Sequence, residues 1–417
     1  MKKVLIIAYH YPPLGGGGVF RTLKFTKYLP QFGFKPFVLT VRNAMYRVKD
    51  PSLLKEVPPE VRIFRTLSLE HRLLLGPFWK LRINPKWIFI PDMNIGWLPF
   101  AVRRGEKIIE EENIDVIYAT APAYTSLLIG YLLKKKTGKP LVVDFRDPWT
   151  QNVFMKFPSK LHKKIDEKME KTVLKLADYI IMAAEPATLS MIDKYPFIKG
   201  KCTTITNGFD VEDFKDLKKE GSTEKFTIAH IGSLYALLTP KYFLTALQQL
   251  IAEKEELRSC VQVLFVGHSG KETEDLVDKF GLHDVIKLVG YLPHKECLGF
   301  MVNSDVLLLI ITIKGDYGKW MFTGRLFEYL GARRPILALA PLDGVAADLV
   351  RSAKAGIVVH PDDVDSIKRT ILKLFQKWKR GNLGTIESKI VEYDRKVLTE
   401  RLVRIFESLI NEKINVS

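Results

Sequence analysis

The chain has 417 residues, of which 47% are hydrophobic and 27% charged, and this composition suits two α/β domains of about 200 residues each. It excludes a disordered chain, and no stretch reaches the ~18 apolar residues that a membrane-spanning helix needs. The net charge of +17, from 64 basic and 47 acidic residues, favours an anionic partner such as a nucleotide, an anionic lipid surface or a nucleic acid.

The amino-terminal segment begins with two lysines and an apolar run, as secretory signals do. The run ends at Tyr9–His10 and has no small-residue cleavage site, so the sequence predicts a buried first strand instead. Cys202, Cys260 and Cys297 are far apart and lack CxxC spacing, which predicts neither a disulfide framework nor a zinc site. A reducing, cytoplasmic compartment suits such a chain.

Short β-branched runs alternate with longer helical patterns, which is typical of βαβ units and a parallel sheet. In the first half the predicted strands are Val4–Ala8, Pro36–Thr40, Val61–Arg65, Val116–Ala119, Leu141–Phe145, Tyr179–Met182 and Thr203–Thr206. After the polar segment Asn207–Lys225 they are Thr227–Ile231, Val261–Val266, Ile286–Val289, Val306–Leu309, Pro335–Ala338 and Gly356–Val359. The sequence therefore predicts a Rossmann-like domain at 1–206, a linker at 207–226, a second such domain at 227–387 and a helical segment at 388–417.

Ligands of open α/β sheets bind beyond the carboxyl ends of the strands, and a glycine-rich loop follows the first strand. Its four glycines, Gly15–Gly18, allow backbone amides to approach a ligand, and the helix that follows favours negative charge. Gly16 and Gly17 are therefore candidate donor-binding residues in a loop positioned to touch a diphosphate or an acceptor, with a structural turn as the alternative. The loop is not a dinucleotide fingerprint, because its glycines are not spaced as GxGxxG and Thr40-Val41-Arg42 stands where an acidic residue is required.

Three charges and a tryptophan follow the fifth predicted strand, in Asp144-Phe145-Arg146-Asp147-Pro148-Trp149. Burying such charges is costly unless they pair, so this loop is a candidate site. The alternative is a structural ion pair between Arg146 and Asp147.

A lysine-rich helix is predicted over Lys160–Lys175, where Leu161, Ile165, Met169 and Val173 recur every four residues. This pattern predicts that the four apolar residues share one face and that the lysines lie on the others. Part of the positive charge is then simply solvated lysine.

A second set of polar residues lies between the strand at Val306–Leu309 and the strand that starts at Pro335. Thr323 can cap a helix, Gly324 allows close approach, Arg325 can pair with a diphosphate, and Glu328 lies about one turn further on, where it can accept both hydroxyls of a ribose. The alternative is an ordinary amphipathic helix with a solvated glutamate.

These motifs resemble those of the GT-B glycosyltransferases, specifically the large retaining family that includes mannosyl- and other hexosyltransferases of surface-glycan assembly. The resemblance covers nearly the full length and rests on the order and spacing of several segments. They are PPLGGGGVFRTLKF, VVDFRDPW, ITNGFD, IAHIGSLY and GRLFEYLGARRPILAL. The resemblance implies two doubly wound Rossmann-like domains with a cleft between them and a carboxyl-terminal helix that crosses back to the first domain.

In that family the second domain binds the sugar nucleotide. The resemblance implies that Gly232, Ser233, Lys241 and Arg325 lie near the diphosphate, and that Glu328 is the second glutamate of the E-x7-E signature, which holds the ribose. It also implies that Gly290, Tyr291 and Leu292 lie beside the base.

The chain departs from the family at two positions. Trp320 stands where the first glutamate of E-x7-E is expected, and Thr120 stands where many relatives carry a histidine close to the reacting sugar. A hydroxyl does not replace an imidazole as a proton carrier. We therefore expect Asp144, Arg146 and Asp147 to carry more of the acceptor-side chemistry, beside Thr120.

The reaction that the resemblance implies is sugar transfer from a nucleotide sugar with retention, and its main demand is stabilisation of the departing diphosphate. No D-x-D motif follows a suitable strand, since Asp363-Val364-Asp365 comes late, so we expect Lys241, Arg325 and helix amino termini to act without metal or other cofactor. The expected acceptor is a glycan, in particular a lipid-linked glycan or surface-polysaccharide precursor. We expect a cytoplasmic enzyme that contacts the inner face of an anionic membrane.

Two other functions fit parts of the same sequence. A nucleotide-sugar 2-epimerase shares the scaffold but needs carboxylates and a histidine near the sugar ring, and none of the eight histidines is assigned to one of these loops. A nucleic-acid-binding protein would use aromatic and basic residues such as those of His71–Arg104, but that segment equally suits domain packing or a membrane surface, and we expect no nucleic acid.

Overall fold

The structure is a computed structural model that describes residues 1–42, 44, 48–69, 89–219, 224–234, 238–386 and 390–414. The chain divides into two compact units. The first unit contains Met1–Thr206 and Arg395–Ser417, and the second contains Asn207–Asp394. Each unit is built around one parallel sheet with helices, which confirms the predicted α/β fold of two Rossmann-like halves.

The sheet of the first unit has seven strands in the order β3-β2-β1-β4-β5-β6-β7. They are β1 Lys2–Ile7, β2 Phe34–Val41, β3 Arg62–Thr66, β4 Val116–Thr120, β5 Leu141–Phe145, β6 Tyr179–Met182 and β7 Cys202–Thr204. The strand order reverses between β1 and β4, so the carboxyl ends of these two strands form the switch point of this sheet, where open α/β sheets bind ligands.

The sheet of the second unit has six strands in the order β10-β9-β8-β11-β12-β13. They are β8 Phe226–Ile231, β9 Val261–Val266, β10 Ile286–Gly290, β11 Val306–Ile310, β12 Ile336–Leu339 and β13 Gly356–Val359. Here the switch point lies between β8 and β11.

Helices connect the strands in both units. In the first unit they are α1 Gly17–Tyr28, α2 Leu98–Glu112, α3 Tyr124–Thr137, α4 Lys160–Leu176 and α5 Glu185–Lys194. In the second unit they are α6 Lys241–Glu253, α7 Leu257–Cys260, α8 Gly270–Phe280, α9 His294–Asn303, α10 Asp316–Trp320, α11 Gly324–Ala332, α12 Val345–Ser352 and α13 Val364–Lys379. The last helix, α14, spans Arg395–Ile414 and belongs to the first unit.

The central strands are buried along their whole length, because helices cover both faces of a parallel sheet. Every residue of β4, β5 and β11 is buried. The polar exceptions in these strands are Thr120 and Asp144, which lie at or next to the carboxyl ends of β4 and β5.

The carboxyl-terminal helix α14 packs into the core of the first unit. Leu398, Leu402 and Phe406 recur every four residues, are fully buried and join a cluster that includes Val4. The ring of Phe406 lies 5.6 Å from that of Phe34. The helix begins at Arg395 rather than at 388, because a short 3-10 helix, Val391–Tyr393, precedes it.

The segment predicted as a linker, 207–226, lies with the second unit as far as it is described, since 220–223 are outside the described residues. Phe209 is only 6% exposed and belongs to the core of that unit, and its amide donates to the Tyr393 carbonyl over 3.1 Å. This packing places both ends of the second unit, near Asn207 and Asp394, on the same core. The second compact unit therefore begins at Asn207 and ends at Asp394, whereas the sequence predicted boundaries at 226 and 387.

Helix α4 buries a different face from the one that its apolar spacing predicts. Of the four apolar residues only Val173 is buried, and Leu161 is 64% exposed. The helix instead buries Asp166 and Glu170, because Trp149 donates its indole N–H to Asp166 over 2.8 Å and Thr150 donates its hydroxyl to Glu170 over 2.6 Å. Hydrogen bonds to buried carboxylates, which spacing cannot show, set the orientation of this helix.

Candidate active site

The two sheets carry different chemistry at their switch points. In the second unit, β8 pairs with β11 only through Ile228 and Ala229, whereas its pairing with β9 continues to Ile231. The carboxyl ends of β8 and β11 therefore diverge. The phenol of Tyr329 bridges the opening, since its oxygen accepts from the Ile231 amide over 2.9 Å and its hydroxyl donates to the Leu308 carbonyl over 3.2 Å.

Three glycines form the floor of this end of the sheet, each with a positive φ: Gly232, Gly267 and Gly290. A Cβ on Gly267 would lie 2.6 Å from the carbonyl carbon of Gly232, so these two loops touch through their backbones. A Cβ on Gly290 would meet no protein atom within 4 Å, which leaves that backbone open to a ligand. Conformation favours glycine at all three positions, and close approach also requires it at Gly232 and Gly267.

Arg325, in the first turn of α11, lies directly over Gly232. A Cβ on Gly232 would come within 1.8 Å of the Arg325 guanidinium. The same guanidinium is 3.1 Å from Nε2 of His230, a fully buried residue near the end of β8. Burial, followed by the nearby Arg325 charge, holds the pKa of His230 well below its usual value.

Glu328 follows Arg325 on the same helix and is paired with a histidine. Its Oε1 is 3.0 Å from Nε2 of His294, the first residue of α9, and the Glu328 side chain remains 22% exposed. Thr323 caps α11 as predicted, since its hydroxyl accepts from the Leu326 amide. No protein atom lies within 4 Å of the position that a Cβ on Gly324 would take.

The remaining predicted residues of this unit lie around that cluster at different depths. Ser233 is half-buried and directly follows Gly232, Tyr291 is 46% exposed, and Leu292 packs against the core. Lys241 is the exposed first residue of α6. Within the described residues no hydrogen bond joins Lys241 to Arg325 or Glu328. Arg325 lies over Gly232 and shares α11 with Glu328.

In the first unit the predicted acceptor-side residue Asp144 is fully buried in an ion pair. Arg21 of α1 donates Nε and NH2 to the two Asp144 oxygens, each over 2.8 Å. The Tyr118 hydroxyl and the Thr120 hydroxyl lie 2.5 and 2.9 Å from Asp144 Oδ2. Burial alone would raise the pKa of Asp144, but the Arg21 charge and these hydrogen bonds lower it below its usual value.

This network changes the interpretation of Asp144 and Thr120. Both side chains are engaged inside the protein and at most 2% exposed, so they hold the strand ends together rather than reach a substrate. Arg21 also donates to the carbonyls of Ile205 and Thr206. Sequence reasoning assigned no role to Arg21, although a lone arginine among the apolar residues that open α1 was a usable signal.

Arg146 is half-buried, unlike the fully buried Asp144. Arg146 donates to the Gly17 carbonyl and to the Thr22 hydroxyl, each over 3.2 Å, and so ties this loop to the glycine-rich loop. Asp147 is exposed. Gly16 caps α1 with a φ of 79°, and a Cβ on Gly17 would meet no protein atom within 4 Å.

Histidines do lie at the strand ends, contrary to the expectation from the sequence. His10 follows β1, where a Cβ on Gly18 would lie 3.3 Å from the His10 ring, and burial lowers the pKa of His10 to about 4. His230 and His294 contact Arg325 and Glu328. The strand register predicted here would have placed His230 at the carboxyl end of β8.

The basic and aromatic segment His71–Arg104 falls largely outside the described residues, which resume at 89. Its described part is used in packing: Trp97 is fully buried and donates its indole N–H to Thr66, and Arg104 lies 4.8 Å over the Phe64 ring. Among the described residues no helix is long and apolar enough to cross a membrane, and no group of three or more His, Cys, Asp or Glu side chains could hold a metal ion.

Two family models match consecutive parts of the chain. Residues 15–213 match Glycosyltransferase Family 4, and residues 225–377 match Glycosyl transferases group 1. Among curated proteins, the D-inositol 3-phosphate glycosyltransferase of Thermobispora bispora is 23% identical over 332 residues, which are 74% of this chain and 73% of that protein.

Several solved structures share the fold. A glycosyltransferase from Rickettsia africae has a TM-score of 0.68 and 15% identity, and the match covers 98% of both chains. Anabaena HepE, solved in complex with UDP-glucose, has a TM-score of 0.65 and 15% identity over 98% of this chain and 100% of its own. A UDP-N-acetylglucosamine 2-epimerase has a TM-score of 0.56 and 13% identity over 96% of this chain and 94% of its own.

Proposed function

Because this chain belongs to the GT-B glycosyltransferases, with a family 4 segment followed by a group 1 segment, we propose that its second unit binds a nucleotide-sugar donor. The sugar is a hexose, and the acceptor is a glycan or lipid-linked precursor of a surface polysaccharide. The observation that carries the donor assignment is the cluster of Gly232, Arg325 and Glu328 at the switch point of the second sheet.

Each member of the cluster suits one part of the donor. The Arg325 guanidinium supplies several N–H donors and a positive charge for the diphosphate. Glu328 offers carboxylate oxygens to the ribose hydroxyls, and the open backbone at Gly290 lies where a base can approach. Tyr291 and Leu292 follow Gly290 and flank the same position.

The transfer breaks the bond between the anomeric carbon and the diphosphate oxygen, and the electron pair leaves with the diphosphate. The acceptor oxygen attacks from the same face and its proton passes to the departing phosphate, so the configuration is retained. Arg325 stabilises the charge that develops on the leaving group, together with Lys241 and the amino terminus of α11. In the first unit Arg146 and the exposed Asp147 are the loop residues proposed to contact the acceptor.

No cofactor takes part in this scheme, since protein cations replace the metal that other sugar transferases use. Turnover of the donor should therefore be unchanged in excess EDTA. Loss of turnover in EDTA, with recovery on adding Mg²⁺ or Mn²⁺, would contradict this part of the proposal.

The donor assignment is tested by a thermal-shift screen of nucleotide sugars against the wild type and Glu328→Ala. A true donor should raise the melting temperature of the wild type strongly and that of the variant weakly, because ligand binding to the folded state stabilises it. The exposed residue Glu296, in the first turn of α9, provides the control Glu296→Ala, which should respond like the wild type. An equal response from all three proteins would remove Glu328 from the site.

The rival 2-epimerase is separated by products. Incubating the full chain with UDP-N-acetylglucosamine and no acceptor should leave the configuration at C2 of the hexosamine unchanged. Accumulation of the 2-epimer would replace the proposed transfer with epimerisation.

We further propose that the enzyme works peripherally at the inner face of an anionic membrane, and α4 supports this location. Its solvent face carries Lys164, Lys168, Lys171 and Lys175, all exposed, along about 16 Å of helix. None of the four takes part in an ion pair with a described residue, and the exposed Leu161 lies on the same face. A basic helix face with an apolar residue suits anionic headgroups.

Vesicle flotation tests this surface. The wild type should float with phosphatidylglycerol vesicles at low salt, and Lys164→Glu/Lys168→Glu/Lys171→Glu should not. The charge-matched control changes three exposed cations, two in α13 and one directly after it, Lys373→Glu/Lys377→Glu/Arg380→Glu, and should still float. Equal loss in both variants would indicate a response to net charge alone, and flotation of neither wild type nor variants would end the membrane proposal.

A further inference from the structure

The imidazole of His230 lies at the opening between β8 and β11. Because the pairing of these strands stops at Ala229 and Leu307, the Leu308 carbonyl has no backbone partner in β8. It accepts instead from two side chains, Nδ1 of His230 over 2.9 Å and the Tyr329 hydroxyl over 3.2 Å.

This contact fixes the tautomer of His230. A carbonyl oxygen only accepts, so Nδ1 carries the proton and Nε2 has a lone pair. That lone pair faces NH1 of Arg325 over 3.1 Å, and the guanidinium, which only donates, gives its hydrogen bond to Nε2. Burial and the Arg325 charge keep the pKa of His230 far below its usual value, so the ring stays neutral near pH 7.

Arg325 is thus held from two sides. The backbone of Gly232 lies against its guanidinium, and His230 accepts one of its hydrogen bonds. Within the described residues no carboxylate forms an ion pair with Arg325, so its charge is not neutralised by the protein. Besides Arg325, the groups that face His230 are the uncharged ring of Phe265 from β9, 5.9 Å away, and the Tyr329 hydroxyl on the shared carbonyl.

We propose that His230 is a positioning residue for the donor diphosphate: as a neutral acceptor it fixes the guanidinium of Arg325 without neutralising it, so that the remaining N–H groups meet the phosphates. A carboxylate in this place would orient Arg325 equally well but would cancel the charge that the diphosphate needs. This inference rests on the proposed function in one respect, that Arg325 binds the diphosphate.

The experiment compares donor binding by the full chain carrying His230→Leu and His230→Gln. The probe is whichever of UDP-glucose, GDP-mannose and ADP-glucose stabilises the wild type most. His230→Leu should weaken its binding about tenfold to a hundredfold, because the fixed orientation of a charged donor is lost. His230→Gln should recover most of the affinity, since a glutamine amide can donate to Leu308 and accept from Arg325.

A double-mutant cycle shows whether the effect passes through Arg325. In an Arg325→Ala background, His230→Leu should cost less than about twofold in donor affinity. Thr227→Val, a buried change at the other end of β8, controls for general loosening of the strand and should leave donor affinity unchanged. Equal losses from His230→Leu in both backgrounds, or no loss in either, would overturn the proposal.

The protonation state gives a second test that does not depend on His230→Leu folding. Between pH 5.5 and 8 the diphosphate diester of a nucleotide sugar does not titrate, and the pH dependence of donor affinity should be the same in the wild type and in His230→Gln. A loss of donor affinity as the pH drops, with a midpoint near pH 6.5 and absent in His230→Gln, would contradict the assignment of His230 as a neutral acceptor.

A third measurement needs no donor at all. In ¹⁵N spectra of the histidine rings, His230 should show a protonated Nδ1 and an unprotonated Nε2, and the opposite tautomer would overturn the assignment. If the tautomer is correct but none of the three nucleotide sugars binds the wild type, the proposed donor function fails while the His230–Arg325 hydrogen bond stands.

Discussion

The switch points of the two units are built from similar residue types but differ in how their charges are satisfied. In the first unit Arg21 and Asp144 are both at most 1% exposed and neutralise each other, and the nearby hydroxyls complete the network. In the second unit Arg325 is held by a neutral histidine and a glycine backbone. A charge at a strand end is therefore a candidate for ligand binding only when the protein leaves it without a counter-charge.

The two glycine clusters differ in the same way. In the first unit Gly18 approaches the His10 ring, and Arg146 ties the neighbouring loop to the Gly17 carbonyl. In the second unit Gly232 and Gly267 pack on each other and carry Arg325 above them. The glycine cluster of the first unit makes contacts within that unit, whereas the glycine cluster of the second unit supports the Arg325 cation.

The largest effect is expected from breaking the buried ion pair. Asp144→Ala should lower the free energy of unfolding of the first unit by about 3 to 5 kcal/mol, because Arg21 would be left buried and uncompensated. Calorimetry can follow the transition of that unit. The matched change at the exposed neighbour, Asp147→Ala, should alter stability by less than about 0.5 kcal/mol.

That comparison also separates structure from catalysis. If Asp144→Ala keeps the wild-type unfolding transition but loses turnover, Asp144 acts on the substrate and its ion pair with Arg21 is not mainly structural. Unchanged turnover in Asp147→Ala would remove the proposed acceptor contact.

A smaller effect is expected on donor affinity from two half-buried arginines, one in each unit. Arg325→Ala should weaken donor binding about tenfold to a hundredfold, because hydrogen bonds to a charged group are lost. Arg146→Ala, in the first unit, should weaken it by less than about threefold. Isothermal titration of the stabilising nucleotide sugar measures both, and a larger loss in Arg146→Ala would assign the donor to the wrong unit.

The remaining prediction concerns stability at acid pH and His10, whose pKa burial lowers from 6.5 to about 4. Between pH 6.5 and 4 this histidine is protonated in the unfolded chain but not in the folded chain. Its contribution to the free energy of unfolding is therefore complete above pH 6.5 and decreases as the pH drops towards 4. His10→Gln should flatten this part of the stability curve in urea unfolding. A curve that keeps its slope in the variant would assign the acid sensitivity to other groups.

The strands were predictable because a buried parallel strand is a short, continuous apolar run, and β5, β6, β9 and β13 have the predicted bounds. The cap at Thr323 was predictable because it depends on residues three apart. In both cases the information is local.

The side-chain contacts at the two switch points were not predictable from local sequence patterns. Arg21 and Asp144 are 123 positions apart, and His230 and Arg325 are 95 apart. Helix α4 shows the same limit: its apolar spacing was clear, but its orientation depends on Trp149 and Thr150, which precede it. Such contacts are set by tertiary packing rather than by periodicity.

Hydrogen–deuterium exchange of the full chain with and without the stabilising nucleotide sugar tests most directly whether the second unit is the donor unit. Bound donor should slow exchange of the amides at 230–234 and 323–328, because the ligand contacts the backbone of these segments. Loops that lack buried packing open most readily and so have the most protection to gain. The glycine-rich loop at 15–18 should respond less. Protection confined to 15–18, with none at 230–234 or 323–328, would contradict the assignment.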